Sequence, residues 1–348
     1  MSHPAVTFPA TLDLPDGRTL HARFNGAMLV LALNGQPLIQ LQSQRVGVLS
    51  SKKGTQDITN DWHLQLVECD REKSVTAVWA ACYWHFFLYP DCHALHWHDL
   101  AIDAALLNSG LVANTAGISL RSQFWQLPEQ WLRAPASAGY PQLFCVADGV
   151  RHPQRPPTPK GEVYRRFDSR LGHWISLRTL DIDTDLERFN RWQNDPRVSA
   201  FWEETGSIEV HRSHLQKLDD DPHSLMLIGC FDDQPFGYFE VYWAKEDRLG
   251  RYYDADHYDR GMHMLVGEAH HRGPQKVRSW LSALSHYLLL DEPRTQRLVS
   301  EPRADNDRMI AYLQQAGFCC QREFDFPHKR AALMTMTRER FFDRCDVC

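Results

Sequence analysis

Residues 151–161 read Arg-His-Pro-Gln-Arg-Pro-Pro-Thr-Pro-Lys-Gly, with four prolines in eleven positions. Proline locks φ and has no N–H to donate, so this stretch runs extended and cannot join a central sheet. It predicts a first domain over 1–150, a linker over 151–161 and a second domain over 162–348. A chain of 348 residues suits two domains of ordinary size.

The two sides of that segment read differently. Before it, β-branched and aromatic runs predict strands at 19–24, 27–33, 38–42, 62–69, 75–83 and 94–102. Asp16-Gly17, Asn25-Gly26 and Asn34-Gly35 mark turns. After it, strands are expected at 163–167 and 174–179, helices at 185–193 and 208–219, and strands at 224–231 and 236–243. A strand at 262–266 then leads to a helix opened by Gly273-Pro274, in which Val277, Trp280, Leu281, Leu284, Tyr287 and Leu288 share one face. A strand at 297–301, a helix at 306–316 and strands at 319–326 and 331–336 follow. This order makes the second domain a mixed α/β sheet carrying helices, and the first β-rich. No convincing repeat links the halves.

Thirty-eight Lys and Arg against 44 Asp and Glu leave a net charge of −6, with no long basic run. Sequence-neutral nucleic-acid binding, which depends on neutralising phosphates, is therefore not expected. No apolar stretch is long enough to span a bilayer, and the first 25 residues carry no secretory pattern. Nine scattered cysteines suit reduced thiols, so a cytoplasmic, soluble protein is predicted.

Two segments carry chemistry. In Arg260-Gly-Met-His263-Met-Leu-Val-Gly-Glu268, strand alternation turns His263 away from the face of Met262 and Met264. The loop beyond reaches Gly273 at a helix start, a place where unpaired amides and the helix dipole favour pyrophosphate, although an ordinary strand–helix connection looks the same. The second segment is Ser300-Glu-Pro-Arg-Ala-Asp-Asn306, in which Asp305 or Asn306 can cap the helix that follows. The cluster Cys82-x-x-His85 … Cys92-His93-x-x-His96-x-His98 has zinc-like ligand types, but its strand-like setting gives no reason for them to converge, and no metal is predicted.

Glu-Pro-x-x-x-Asn followed by Gly317-Phe318, after a strand–Gly loop–helix, resembles the GCN5-related N-acetyltransferase (GNAT) fold. Residues 153–342 are similar to the siderophore-pathway acyltransferases of the aerobactin N-hydroxylysine acetyltransferase type. The likeness rests on Pro153-Gln-Arg-Pro-Pro157, Gly161-Glu-Val-Tyr-Arg-Arg166, Asn194-Asp-Pro-Arg-Val198, Leu227-Ile-Gly-Cys-Phe-Asp-Asp233, Tyr238-Phe-Glu240, His263-Met-Leu-Val-Gly-Glu268, residues 286–297 and Glu323-Phe-Asp-Phe-Pro-His-Lys-Arg330.

The resemblance implies acylation of an N-hydroxylated amine by acetyl-CoA, or by succinyl-CoA, with no metal. His263 and Asp305 are then the catalytic candidates. Leu265, Val266, Gly267, Arg272, Gly273, Pro274, Gln275, Lys276, Val277, Asn306 and Tyr312 are expected to hold CoA. Leu313 occupies the position where the generic fold often has a tyrosine. Trp202, Glu204, Tyr238, Glu240 and Trp243 are expected on the acceptor side. Residues 1–150 are read as β-rich or as a degenerate acyltransferase-like domain, possible docking ground for a siderophore hydroxylase or synthetase. Neither nucleic acid nor membrane is an expected partner.

Overall fold

The computed structural model describes residues 11–25, 28–52, 55–133, 139–344 and 347. It divides into two compact units between Gln130 and Trp131. The division falls before the proline segment, which belongs to the second unit. There Arg155 pairs with Glu246 at 2.5 Å, donates to the carbonyl of His257 and lies 4.3 Å over the Trp243 ring. The prolines keep the segment extended, but one buried guanidinium fastens it to the unit that was expected only to follow it.

The described strands of the first unit form a sheet in sequence order: β1 (Thr11–Asp13), β2 (Thr19–Asn25), β3 (Met28–Leu33), β4 (Gln36–Lys52), β5 (Thr55–Cys69), β6 (Ala94–His98) and β7 (Ile118–Leu120). Neighbours are antiparallel except β5 and β6, which run parallel because helix α1 (Ser74–Leu88) carries the chain back between them. Short helices α2 (Ala104–Asn108) and α3 (Arg121–Phe124) follow. Asn34 and Gly35 take the left-handed conformations that a two-residue hairpin requires. The turn expected at Asn25-Gly26 lies partly outside the described residues.

The strand expected at 75–83 is instead α1. Its residues are buried without interruption from Ala77 to Phe87. A helix apolar all round has no polar face, so the 3.6-residue period that reveals helices is missing. The strand expected at 94–102 stops at His98, where Asp99 turns with φ of 60°.

The second unit begins with a hairpin of β8 (Phe144–Ala147) and β9 (Val150–Pro153). Its main sheet has the order β10-β11-β12-β13-β14-β15-β17-β16. These strands are β10 (Glu162–Asp168), β11 (His173–Thr179), β12 (Ser224–Phe231), β13 (Gln234–Trp243), β14 (Arg260–Val266), β15 (Arg297–Ser300), β16 (Cys319–Asp325) and β17 (Arg330–Thr337). Helices α4 (Ile182–Gln193), α5 (Pro196–Trp202) and α6 (Ile208–Asp219) connect β11 to β12, capped by Asp181, Asp195 and Ser207. The turn of α5 was not expected; Pro196 stands at its first position, just beyond the end of α4 at Gln193. Helix α7 (Pro274–Asp291) joins β14 to β15, α8 (Asp307–Gln315) joins β15 to β16, and α9 (Arg338–Arg344) follows β17.

One irregularity positions the site. β14 and β15 are parallel, yet only Arg260 and Gly261 pair with Leu298 and Val299. Beyond Met262 the strands diverge. One core cluster packs Leu186, Phe189 and Trp192 of α4 against Ile228, Tyr238 and Leu265, beside that divergence. Burying each such side chain contributes about 1.5–3 kcal/mol. Gly267 is tied to this packing, since a Cβ there would sit 2.1 Å from the Trp192 ring. Among the described residues no helix is long and apolar enough to cross a membrane.

Candidate active site

Glu240 and His263 are register partners across β13 and β14, so their side chains share a face as direct neighbours. Glu301 follows the last residue of β15 and reaches the same ring from the other side. The His263 Nδ1 lies 3.1 Å from Glu240 Oε1, and Nε2 lies 2.6 Å from Glu301 Oε1. The Tyr242 hydroxyl donates to Glu301 Oε2 at 2.6 Å, and the Tyr238 hydroxyl to Glu240 Oε2 at 3.2 Å. Gly261 makes room for this, because a Cβ there would meet the Tyr242 ring at 2.0 Å.

The electrostatics follow from the geometry. Burial alone would discharge His263, but Glu301 first and Glu240 next outweigh it and raise the ring to about 10. Burial likewise opposes the charge of Glu301, yet the His263 cation holds that carboxyl down at about 2. Glu240 is lowered too, with His263 overcoming its burial. Near neutrality the trio is thus an imidazolium donating to two carboxylates, with both ring nitrogens occupied.

Asp305 does not join this trio. It is exposed and makes a two-pronged pair with Arg303 at 2.8 and 3.0 Å, so the acid that meets His263 is Glu301. Trp243 also lies elsewhere: it alternates away from Glu240 along β13 and is buried between the Arg155 and Arg260 guanidiniums, 4.3 and 4.0 Å from its ring. Trp202, Glu204 and Glu240 do line one cavity of about 640 Å³, whose floor is His263 and Glu301. Trp202 meets the His263 ring edge to face at 6.3 Å. Glu204 accepts from the Gln193 amide at 3.2 Å, and burial raises its carboxyl. Tyr238 is wholly buried behind Glu240.

A second cavity of about 170 Å³ opens where β14 leaves β15. Leu265, Val266, Arg272, Gly273, Val277, Asn306 and Tyr312 line it. Gly273, with φ of 124°, turns the chain into α7, whose first turn carries Pro274, Gln275 and Lys276 and no acid. Asn306 caps α8 by accepting from the Met309 N–H at 3.1 Å. Leu313 faces the core, whereas its neighbour Tyr312 lies on the cavity wall. Arg197 was not anticipated, although it stands in the quoted Asn194-Asp-Pro-Arg-Val198 run. It donates to the carbonyls of Val266 and Gly267, both at 2.8 Å, satisfying backbone acceptors where β14 has lost its neighbour. Phe201, Trp202, Met264, Asn306 and Met309 line both cavities, so the two share a wall.

The histidines and cysteines of the first unit arrange differently. His85 lies inside α1 beside the carbonyl of Ala81, and His63 contacts His98 at 2.8 Å. Among the described residues no group of three or more His, Cys, Asp or Glu has the geometry to hold a metal.

Residues 181–326 match the family model for the acetyltransferase (GNAT) domain. The chain is 51% identical over 223 residues to the N(6)-hydroxylysine O-acetyltransferase of Escherichia coli, covering 64% of this chain and 70% of that protein. It belongs to the GNAT acyltransferases, in their siderophore-pathway group. It is also 47% identical over 231 residues to the N(5)-hydroxyornithine:cis-anhydromevalonyl coenzyme A-N(5)-transacylase of Beauveria bassiana, across 65% of this chain and half of that one. Its fold is similar to that of an uncharacterized protein from Bacillus halodurans, at a TM-score of 0.51 and 28% identity, covering 54% of this chain and 96% of that chain. As a GNAT acyltransferase, the chain takes its acyl group from an acyl-CoA.

Proposed function

We propose that this GNAT acyltransferase transfers the acetyl group of acetyl-CoA to the hydroxylamine nitrogen of N6-hydroxylysine, giving a hydroxamate. One observation carries the reading: the cavity beside the β14–β15 divergence shares a wall with the cavity floored by Glu240, His263 and Glu301. A thioester in the first lies next to an amine in the second, so direct transfer needs no covalent enzyme intermediate. Cys230 does not serve as a nucleophile in this scheme, since burial pushes its thiol up to about 11.

Each residue then has a task. A hydroxylamine is less basic than an alkyl amine, so its nitrogen is largely unprotonated near neutrality. The acceptor's cationic end takes over Glu240, the longer of the two carboxylate contacts, and its positive charge drives the Nδ1 proton of the His263 imidazolium off to solvent, leaving a neutral ring with Nδ1 free. Glu301 keeps the proton on Nε2 and orients the ring. As the nitrogen attacks the thioester carbon, its proton passes to Nδ1. Backbone N–H groups around Leu265 and Val266 stabilise the oxyanion. Arg272, Lys276 and the α7 amides hold the CoA phosphates. Tyr312 returns a proton to the departing thiolate. Attack through nitrogen is chosen over oxygen because the nitrogen lone pair is the stronger nucleophile.

The test is CoA release from acetyl- and succinyl-CoA against N6-hydroxylysine, N-hydroxycadaverine and N-hydroxyputrescine. Acetyl-CoA with N6-hydroxylysine is expected to be fastest, with a product that forms a coloured ferric complex as hydroxamates do. Absence of turnover with every pair overturns the reading, and a product acylated on oxygen overturns its choice of atom.

A further inference from the structure

Most charges in the acceptor cavity are already matched within the protein. His263 lies between Glu240 and Glu301, Arg303 meets Glu203 and Asp305, and His223 lies between Asp221 and Asp247. On the Glu301 side stands a group that is not matched in this way. Arg248 approaches Glu301 at 3.9 Å, too far for a hydrogen bond, and its half-exposed guanidinium lies over the Phe326 ring at 5.4 Å. Lys329 lies over the same ring at 5.6 Å and donates to the backbone carbonyl of Glu301 at 2.9 Å. His328 stacks on that ring at 5.5 Å. Burial lowers Lys329, and the charges of Arg248 and Arg303 lower it further against the pull of Glu301. All three line the cavity. Arg248 and Lys329, two like charges gathered around one aromatic ring and facing a cavity, are relieved by an anion. A planar guanidinium beside an ammonium suits a carboxylate.

We infer that Arg248 and Lys329, with His328, form a subsite for the carboxylate of the acceptor, so the enzyme selects hydroxylamines that are also amino acids over hydroxylated diamines. This rests on the acyl transfer proposed above. The carboxylate belongs to the acceptor and not to a succinyl donor, because these residues line the acceptor cavity and the thioester cavity has cations of its own in Arg197, Arg272 and Arg308. The amino-acid ammonium, on the same carbon, is left for the carboxylates of that cavity, Glu204 and Glu240.

The test reads a ratio: kcat/KM for N6-hydroxylysine over that for N-hydroxycadaverine, its analogue without the carboxylate, with acetyl-CoA as donor. In Arg248→Met this ratio is expected to fall by about 10- to 100-fold, chiefly through the KM for N6-hydroxylysine, the range for losing a hydrogen bond to a charged group. Arg248→Lys recovers part of it. An unchanged ratio overturns the inference. So does a loss seen with succinyl-CoA and absent with acetyl-CoA, which assigns the cations to the donor. Should Arg248→Met release no CoA with either acceptor, the ratio is read in Lys329→Met, and its constancy there overturns the inference. Wild-type protein that turns over neither acceptor refutes the proposed function itself, a result distinct from an unchanged ratio.

Discussion

Each unit contains a strand, a helix and a second strand parallel to the first: β5–α1–β6 in one, β14–α7–β15 in the other. Both helices are buried along most of their length. The connections into them differ. Ahead of α1, Asp70 accepts from the Glu72 N–H at 3.1 Å and pairs with Lys73 at 3.1 Å, so acids already stand at the positive end of that helix. Ahead of α7 come Arg272 and Gly273, and the first turn has no acid. The same scaffold therefore presents a self-satisfied turn in one unit and, in the other, a turn with no acid at the positive end of its helix. The histidines repeat the contrast. Burial holds His85 in α1 down at about 4, whereas two carboxylates hold His263 up at about 10.

The largest effect should come from placing the chemistry in one unit only. His263→Ala is expected to lower kcat by ~10²–10⁴-fold, the usual contribution of a general base, with CoA binding retained in calorimetry. Undiminished turnover would remove histidine from the mechanism. In the first unit, Phe86→Ala empties a fully buried position of α1 and should cost about 3–5 kcal/mol in urea unfolding, while turnover of the folded protein is unchanged.

A smaller change copies one connection onto the other. Lys276→Glu puts an acid at the start of α7, as Glu72 stands before α1, and should raise the KM for acyl-CoA about fivefold, a helix-terminus effect near 1 kcal/mol. If KM does not move, the open positive end of α7 is not what holds the phosphates.

The most gradual difference lies in pH. His263 is raised above its ordinary 6.5, so its stabilisation is complete below pH 6.5 and is lost as pH climbs toward 10. Glu301 is lowered from 4.5, so its contribution is present above pH 4.5 and is lost as pH falls toward 2. His85 is lowered from 6.5, so what it contributes above pH 6.5 is lost as pH falls toward 4. Urea midpoints of His263→Ala should therefore show a flatter alkaline limb than wild type, and an unaltered limb would refute the imidazolium assignment.

Much of the second unit was legible because its periodicities are clean. The helix at 208–219 has the expected bounds, and so does the strand at 224–231, a continuous apolar run too short for a helix and buried throughout. Helix α1 was not, because uniform burial erases the polar face that marks a helix. In the site, His263 was legible from strand alternation and the motif. Its carboxylate partner was not: Glu301 and Asp305 stand four residues apart in one segment, and only the packing of Tyr242 over Gly261 shows which of them meets the ring. Trp243 was misplaced for a related reason, since its aromatic neighbours on β13 alternate between two faces.

What the sequence determined by itself was local: strand and helix periods, the glycine that opens α7, the caps, and the family motifs tied to them. The tertiary structure alone decided which charges meet. It drew the proline segment into the second unit through Arg155, gave Arg303 to Glu203 and His263 to Glu301, and left Arg248 and Lys329 lining the larger cavity. Ion pairing depends on distances between side chains far apart along the chain, and those distances exist only once strands have found their register.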